Sequence, residues 1–175
     1  VPVPLIGRLH GGAFGGGVGL ACVCDVTLAT PETKFAFSET RLGIIPATIG
    51  PYVLARMGEG RARRVFMSGR VFDAVEAEAL GIVSRVVEAD AMEAAVEAEL
   101  APYLSTAPGA VSAAKALTRA LGPRIDAAVG HPMEARVDPP DERVDVRLRG
   151  ARLLRGGHLA GEHALADDVL TLVAA

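Results

Sequence analysis

Residues 10–25 read His10-Gly11-Gly12-Ala13-Phe14-Gly15-Gly16-Gly17-Val18-Gly19-Leu20-Ala21-Cys22-Val23-Cys24-Asp25, and this stretch decides the fold. Six glycines lie in its first ten positions, after a largely apolar run at 3–9 and before small apolar residues at 20–23. This order predicts a strand, a tight turn and a helix that begins near Gly16. Because glycine tolerates positive φ and the first N–H groups of a helix lack intrahelical partners, the turn can bind negative charge.

The spacing of the glycines excludes two common anion-binding loops. A dinucleotide loop that starts at Gly17 needs a small residue where Cys22 stands, and a phosphate-binding P-loop needs Lys where Val18 stands. The start at His10 is similar to the oxyanion segment of lipases, but no serine has the required setting G-x-S-x-G. Two interpretations stay open, namely an oxyanion hole for an enolate or thioester oxygen, and glycines used only for tight packing.

The residues after the turn extend the pattern. Residues 35–46 read FAFSETRLGIIP and follow the glycine turn and the pair Cys24-Asp25. Together these segments closely resemble the enoyl-CoA hydratase/isomerase, or crotonase, superfamily. That family combines an apolar strand, N/H-G-x-A-x-G-G-G, a helix ending in C-D, and F-x-x-x-E-x-x-x-G-x-x-P, all present here in register. A looser resemblance extends to about residue 120.

The resemblance implies an α/β fold, with the C-terminal part of a crotonase-like ββα spiral core followed by helices. We expect the catalytic core at residues 1–88, a helical oligomerisation region at 89–133 and an atypical tail at 134–175. Disorder, divergence and a shifted reading frame stay open for that tail. Crotonase enzymes carry about half a catalytic domain before the first strand seen here, so we expect a fragment or a truncated member.

The resemblance also assigns a site. It implies that the Gly16 amide helps to hold the thioester oxygen and that the Glu39 carboxylate moves protons. It places substrate contacts at Phe14, Gly15, Gly16, Gly19 and Pro46.

One position departs from the pattern of many hydratases. These carry a second glutamate three positions after the oxyanion glycine, where this chain has Gly19. The motifs G-G-G-V-G-L and S-E-x-x-x-G-x-x-P-A-x-x-x-P-Y resemble a subgroup that hydrates branched or carboxylated enoyl-CoA, such as methylglutaconyl-CoA. Because glycine has no side chain, we expect room at this position for a bulkier substrate.

The function implied by the resemblance is that of a lyase, an enoyl-CoA hydratase of fatty acid or branched-chain amino acid metabolism. Isomerisation, thioester hydrolysis and decarboxylation stay open as other crotonase-type reactions. A further alternative is an inactive fragment that serves only in binding or assembly. No cofactor is expected, since coenzyme A is part of the acyl-CoA substrate. The late helices predict a homo-oligomer, a trimer or a hexamer.

The composition of the chain argues against nucleic acids, metals and membranes as partners. With 18 Lys and Arg against 21 Asp and Glu, the chain offers no electrostatic case for nucleic-acid binding. Cys22 and Cys24 are interpreted as buried small residues of a reducing compartment, and the four histidines lack metal-ligand spacing. We therefore expect no metal site. Since no signal peptide or long apolar run is evident, we expect a cytoplasmic protein that does not bind membranes.

Beyond the turn, hydrophobic periodicity predicts three strands and five helices. The strands are predicted at 26–29, 34–37 and 82–87, and the helices at 48–57, 60–68, 74–80, 90–104 and 108–121. Asp73 is the predicted N-cap of the third helix. Each of the last two helices carries an apolar face, formed by Met92, Val96, Leu100 and Leu104 in one and by Val111, Ala114, Leu117 and Leu121 in the other.

Overall fold

The computed structural model describes residues 1–123 and 171–174. The strands are β1 (Leu5–Leu9), β2 (Gly12–Phe14), β3 (Val26–Ala29), β4 (Lys34–Ala36), β5 (Val71–Asp73), β6 (Arg85–Val86) and β7 (Thr171–Ala174). The helices are α1 (Gly16–Val23), α2 (Gly50–Met57), α3 (Glu59–Phe66), α4 (Ala74–Ala79), α5 (Met92–Leu100) and α6 (Pro108–Leu121). Short 3-10 helices span Glu39–Leu42, Ala89–Ala91 and Ala101–Ser105.

The strands form two sheets, and residues 10–11 connect β1 of the first sheet to β2 of the second. One sheet has the order β6-β3-β1-β7, in which β7 is antiparallel to β1 and the other pairs are parallel. The other has the order β2-β4-β5, with β2 parallel and β5 antiparallel to β4. Because β2 and β4 are parallel and Phe14 is paired with Ala36, both strands end at the same edge. The chain after β4 therefore emerges beside the start of α1.

The larger hydrophobic core draws on β1 to β5 and on α1 to α4. Aromatic rings lie at its centre: Phe35 stacks on Phe72 with ring centroids 5.7 Å apart, and Phe37 contacts Phe66 at 4.6 Å. A smaller cluster packs α5 against β3 through Leu28. Burial of these side chains is the main favourable contribution to folding.

Several predicted elements are confirmed. A helix begins at Gly16, strands cover 26–29 and 34–36, and helices occupy four of the predicted segments with ends shifted by at most two residues. Asp73 caps α4, since its carboxylate accepts the Glu76 N–H at 2.9 Å. The strands β2 and β5 were not predicted, because three residues are too few to show a period.

Two predicted elements are shorter than expected. The helix predicted at 90–104 ends at Leu100, because Pro102 has no N–H to donate and the chain continues as a 3-10 helix. Leu104 consequently lies outside α5 and is 84% exposed, whereas Met92 and Val96 of the same predicted face are buried. The strand predicted at 82–87 is reduced to β6, and the preceding Ser84 N–H bonds to the Thr27 carbonyl at 2.8 Å.

The late helices leave apolar side chains at the surface. In α6, Leu117 and Leu121 are 58% and 79% exposed. A salt bridge ties this helix to the core, because Lys115 Nζ lies 2.5 Å from an Asp25 carboxylate oxygen that also accepts the Leu5 N–H.

The predicted boundary at residue 88 stays a prediction. The tail predicted at 134–175 lies outside the described residues except for β7.

The described helices include none that is both long and apolar enough to span a bilayer.

Arg56 connects four segments around the C-terminal end of α2. Its Nε donates to the Gly81 carbonyl at 2.9 Å and its Nη1 to the Cys24 carbonyl at 3.0 Å. Its Nη2 lies within 3.4 Å of the hydroxyl groups of Ser84 and Thr27. One planar guanidinium group thus satisfies acceptors at the ends of α1 and α4 and near the start of β3.

Replacement of Arg56 by Ala is expected to lower the free energy of unfolding by roughly 2–4 kcal/mol, because several partly buried acceptors lose a charged donor together. Urea unfolding measures this change. Arg63→Ala is the matched control, since that side chain is 68% exposed on α3 and forms an exposed ion pair with Glu59 at 3.6 Å. Equal losses in the two variants would contradict the role given to Arg56.

The two cysteines are buried and are not joined by a disulfide. Burial raises the pKa of the Cys22 thiol to about 12 and that of Cys24 to about 11, although Arg56 opposes both shifts. The Cys24 Sγ also donates to the Leu20 carbonyl at 3.3 Å. Both side chains therefore behave as small apolar core residues, as the sequence predicted.

At pH 8 the thiolate fraction of either cysteine is on the order of one in a thousand or less. We therefore expect an alkylating reagent to modify neither thiol in the folded protein and both after unfolding in urea. Mass spectrometry of the two samples counts the modified cysteines. Rapid labelling of Cys22 without urea would show that the thiol is not buried.

Candidate active site

The glycine turn fixes the start of α1 against the end of β4. The Gly15 N–H donates to the Ala36 carbonyl at 2.9 Å, and Gly15 has a φ of +49°, which side-chain-bearing residues rarely adopt. The next residue, Gly16, begins α1 and is exposed. Within the described part of the chain, the N–H groups of Gly16 and Gly17 donate to no backbone carbonyl. They are therefore available to an external acceptor at the positive end of the helix dipole.

Glu39 brings a carboxylate to the same turn. It begins the 3-10 helix that follows β4, three residues after Ala36. Its Oε1 lies 3.1 Å from the position that a Cβ on Gly15 would take. Its Oε2 is buried and has no hydrogen-bond partner among the described residues. Since a buried carboxylate oxygen is costly to leave unpaired, this atom is suited to accept a proton or a hydrogen bond from a ligand.

Gly19 does not leave the space expected from its sequence. A Cβ at this position would lie 2.4 Å from Ile49 Cγ2 and 2.9 Å from Ile49 Cβ. The side chain of Ile49, which precedes α2, therefore fills the volume. The expectation that Gly19 makes room for a bulkier substrate was wrong, because the sequence shows that a side chain is missing but not which neighbour replaces it.

Phe14 and Pro46 occupy different environments near the turn. Phe14 is half exposed, and its ring folds over Gly12, where a Cβ would lie 2.5 Å from ring carbon Cε2. Pro46 is buried, and its carbonyl accepts the Gly50 N–H at 2.8 Å. Phe14 thus presents an apolar surface beside the turn, whereas Pro46 belongs to the buried connection that leads into α2.

The structure therefore places a carboxylate with an unpaired oxygen, that of Glu39, against Gly15, the residue that precedes the unpaired amide of Gly16. Such an arrangement can stabilise negative charge on a carbonyl oxygen while moving a proton nearby. The contact of Ile49 with α1 was not predicted from the sequence. The glycine at position 19, on a buried part of α1, was the signal that a neighbouring side chain comes close. No group of three His, Cys, Asp or Glu side chains converges in the described ranges.

Comparisons with known proteins agree with this fold and motif. A sequence profile of the family described as enoyl-CoA hydratase/isomerase matches residues 1–129. The Mycobacterium tuberculosis protein named "Probable enoyl-CoA hydratase echA8" is 44% identical over 91 residues, which are 51% of this chain and 35% of that protein. Mouse mitochondrial methylglutaconyl-CoA hydratase is 42% identical over 89 residues, which are 50% and 28% of the two chains.

A solved structure shows the same fold. The enoyl-CoA hydratase from Shewanella pealeana superimposes with a TM-score of 0.66 at 38% identity, covering 69% of this chain and 44% of that one. The chain thus spans less than half of the length of these relatives. The predicted crotonase-like α/β fold is confirmed. With a family profile that covers most of its residues, the chain belongs to the enoyl-CoA hydratase/isomerase family.

Proposed function

We propose that this protein hydrates a 2-enoyl-CoA thioester, with the Gly16 N–H bound to the thioester oxygen and Glu39 transferring the protons. The observation that carries this proposal is the position of the Glu39 carboxylate, 3.1 Å from the Cβ position of Gly15 and hence next to the Gly16 amide. The naming of relatives as enoyl-CoA hydratases supports the substrate class.

The amide stabilises charge that develops during the reaction. Addition of a nucleophile to an enoyl thioester moves electrons onto the carbonyl oxygen and forms an enolate. An N–H group already aimed at that oxygen contributes on the order of 2.7–4 kcal/mol in favourable cases. Because the donor is a main-chain N–H at the end of α1, the helix dipole adds to its effect.

Glu39 accounts for both proton transfers. As the water oxygen bonds to the β-carbon, a water proton passes to the carboxylate and the C=C electron pair moves toward the carbonyl oxygen. The enolate then takes the proton from Glu39 at the α-carbon, which regenerates the carboxylate and yields a 3-hydroxyacyl thioester. The unpaired Oε2 of Glu39 is the atom suited to hold that proton.

We extend the proposal to substrate class and assembly. The likeness to mouse methylglutaconyl-CoA hydratase supports a branched or carboxylated enoyl-CoA, with Phe14, Gly15 and Pro46 near the acyl group, whereas Gly19 is covered by Ile49. The exposed Leu117 and Leu121 of α6 support a homo-oligomer, a trimer or a hexamer. A cytoplasmic location and the absence of a cofactor remain part of the same proposal.

The proposal is tested with crotonyl-CoA as the probe. We expect the purified protein to remove the absorbance of the conjugated thioester without release of free thiol. Glu39→Gln should lower kcat by about 10²–10⁴-fold, since the acid/base group is lost while the side-chain shape is kept.

Glu78→Gln on the exposed side of α4 is the matched control and should leave kcat unchanged. Release of free CoA thiol would point to hydrolysis instead of hydration. Equal activity of Glu39→Gln and the wild type would remove Glu39 from the mechanism.

Neighbouring glycines give a second test. Gly15→Ala places a Cβ in a strained backbone conformation and against the Glu39 carboxylate, so we expect a loss of about 1–3 kcal/mol in unfolding free energy together with a fall in kcat. Gly16→Ala adds a Cβ in open space and keeps the N–H, so stability should change by less than about 0.5 kcal/mol. Thermal unfolding and turnover of the two variants decide whether Gly15 positions Glu39.

A further inference from the structure

Gly69 lies beside the 3-10 helix that carries Glu39. The strand β5 is antiparallel to β4, with Val71 paired to Ala36, so the chain that leads into β5 runs alongside the chain that leaves β4. Gly69 is two residues before Val71, and Glu39 is three residues after Ala36. The turn between α3 and β5 is therefore next to the segment that presents the carboxylate.

The approach of this turn to the 3-10 helix leaves no room for a side chain on Gly69. Gly69 has a φ of +56°, and a Cβ on it would lie 2.9 Å from Thr40 Oγ1 and 3.0 Å from Arg41 Cγ. Both neighbours belong to the 3-10 helix Glu39–Leu42 and follow Glu39 directly along the chain. The bare Cα of Gly69 thus lets this helix lie against the turn.

Contacts on both sides of Gly69 hold the turn in place. Before it, the Ser68 hydroxyl donates to a carbonyl in the last turn of α3 at 3.2 Å. After it, the Arg70 guanidinium binds both carboxylate oxygens of Glu76, with Nη1 2.7 Å from Oε2, and lies over the Phe72 ring. Such a bidentate pair has a fixed geometry. A side chain added at position 69 would therefore displace the 3-10 helix and not the turn.

Thr40 is the neighbour that would transmit this displacement. Its β-branched side chain is restricted at χ1, whereas Arg41 is long, exposed and able to move aside. Thr40 follows Glu39 directly, and its carbonyl accepts the Gly43 N–H at 3.3 Å within the same short helix. A shift of Thr40 therefore moves the backbone of this helix, and the Glu39 carboxylate moves with it.

We infer that Gly69 is a positioning residue for the Glu39 carboxylate. The 3-10 helix has two glycine neighbours: Glu39 lies against Gly15, and Thr40 lies against Gly69. The inference rests on the proposed hydration for its chemical meaning, while the contact itself is a property of the fold. Misplacement of a reacting group by about 1 Å can lower a rate by about 10²-fold, so the effect is expected in kcat.

The first test compares Gly69→Ala with Gly81→Ala. Gly81 is the matched control, because its φ is also positive, at +84°, but a Cβ there would make only ordinary contacts, 3.5 Å from Arg61 Nη1 at the nearest. Both variants should unfold at a lower temperature than the wild type, since each strains the backbone. Gly69→Ala alone should lower kcat for crotonyl-CoA, by about tenfold or more, with KM changed by less than about twofold. Equal kcat in the two variants, measured below both midpoints, would overturn the positioning role.

The second test removes Thr40 Oγ1. In the Gly69→Ala background, Thr40→Ala should recover most of the lost kcat and part of the lost midpoint, because the overlap disappears and the backbone strain remains. Thr48→Ala changes an exposed threonine further along the same segment, so it is the matched control and should recover neither. Equal recovery by both substitutions would overturn the contact as the cause. If Gly69→Ala does not fold, folding restored by Thr40→Ala and not by Thr48→Ala supports the contact, and no restoration overturns it.

Failure of the proposed function gives a different result. A wild-type protein that does not turn over crotonyl-CoA refutes the hydration, while the unfolding midpoints still test the contact. Non-additive midpoint shifts of Gly69→Ala and Thr40→Ala then support the contact, and additive shifts overturn it. Turnover by the wild type with equal kcat in Gly69→Ala and Gly81→Ala refutes the positioning role and leaves the hydration in place.

Discussion

The hydrogen bond from the Gly15 N–H to the Ala36 carbonyl is the contact on which the site depends. It continues the parallel pairing of β2 with β4 and joins the start of α1 to the end of β4. Because Glu39 follows Ala36 by only three residues, this bond also determines where the carboxylate emerges. The exposed amide of Gly16 and the buried oxygen of Glu39 are neighbours for that reason. After this bond the chain enters α1 through the positive φ of Gly15, a conformation that favours glycine.

Much of this arrangement could be predicted from the sequence, because it depends on local signals. The run of glycines marked the start of α1, and a short alternating segment marked β4 with Glu39 at its end. The sequence overestimates the length of α5, because the apolar period continues past Pro102 although the missing N–H of that residue ends the helix. The contact of Ile49 with Gly19 could not be predicted from the sequence. Residues thirty positions apart meet here because of how α2 packs, and such a contact leaves no period in the sequence.

Packing around α1 also explains why small residues dominate that helix. Val18, Ala21 and Cys22 are buried on it, and α2 lies close enough for Arg56 to reach the Cys24 carbonyl at the helix end. Glycine lowers the stability of a helix by roughly 0.5–1 kcal/mol per residue relative to alanine. The close approach of neighbouring side chains offsets this loss through dispersion contacts and burial. The helix is therefore stabilised by its surroundings more than by its own propensity.

The oxyanion contact and the proton transfer depend on side chains to different degrees. An oxyanion contact made by the Gly16 main-chain N–H requires only the backbone path of the turn, so it is insensitive to substitutions that keep this path. The carboxylate comes from the segment 39–49, which contacts Gly15 before α1 through Glu39 and Gly19 within α1 through Ile49. A change in that segment can thus alter proton transfer while charge stabilisation stays the same. At positions 39 and 49 such a change is limited by the facing glycine, because a Cβ on Gly15 or Gly19 would meet Glu39 or Ile49.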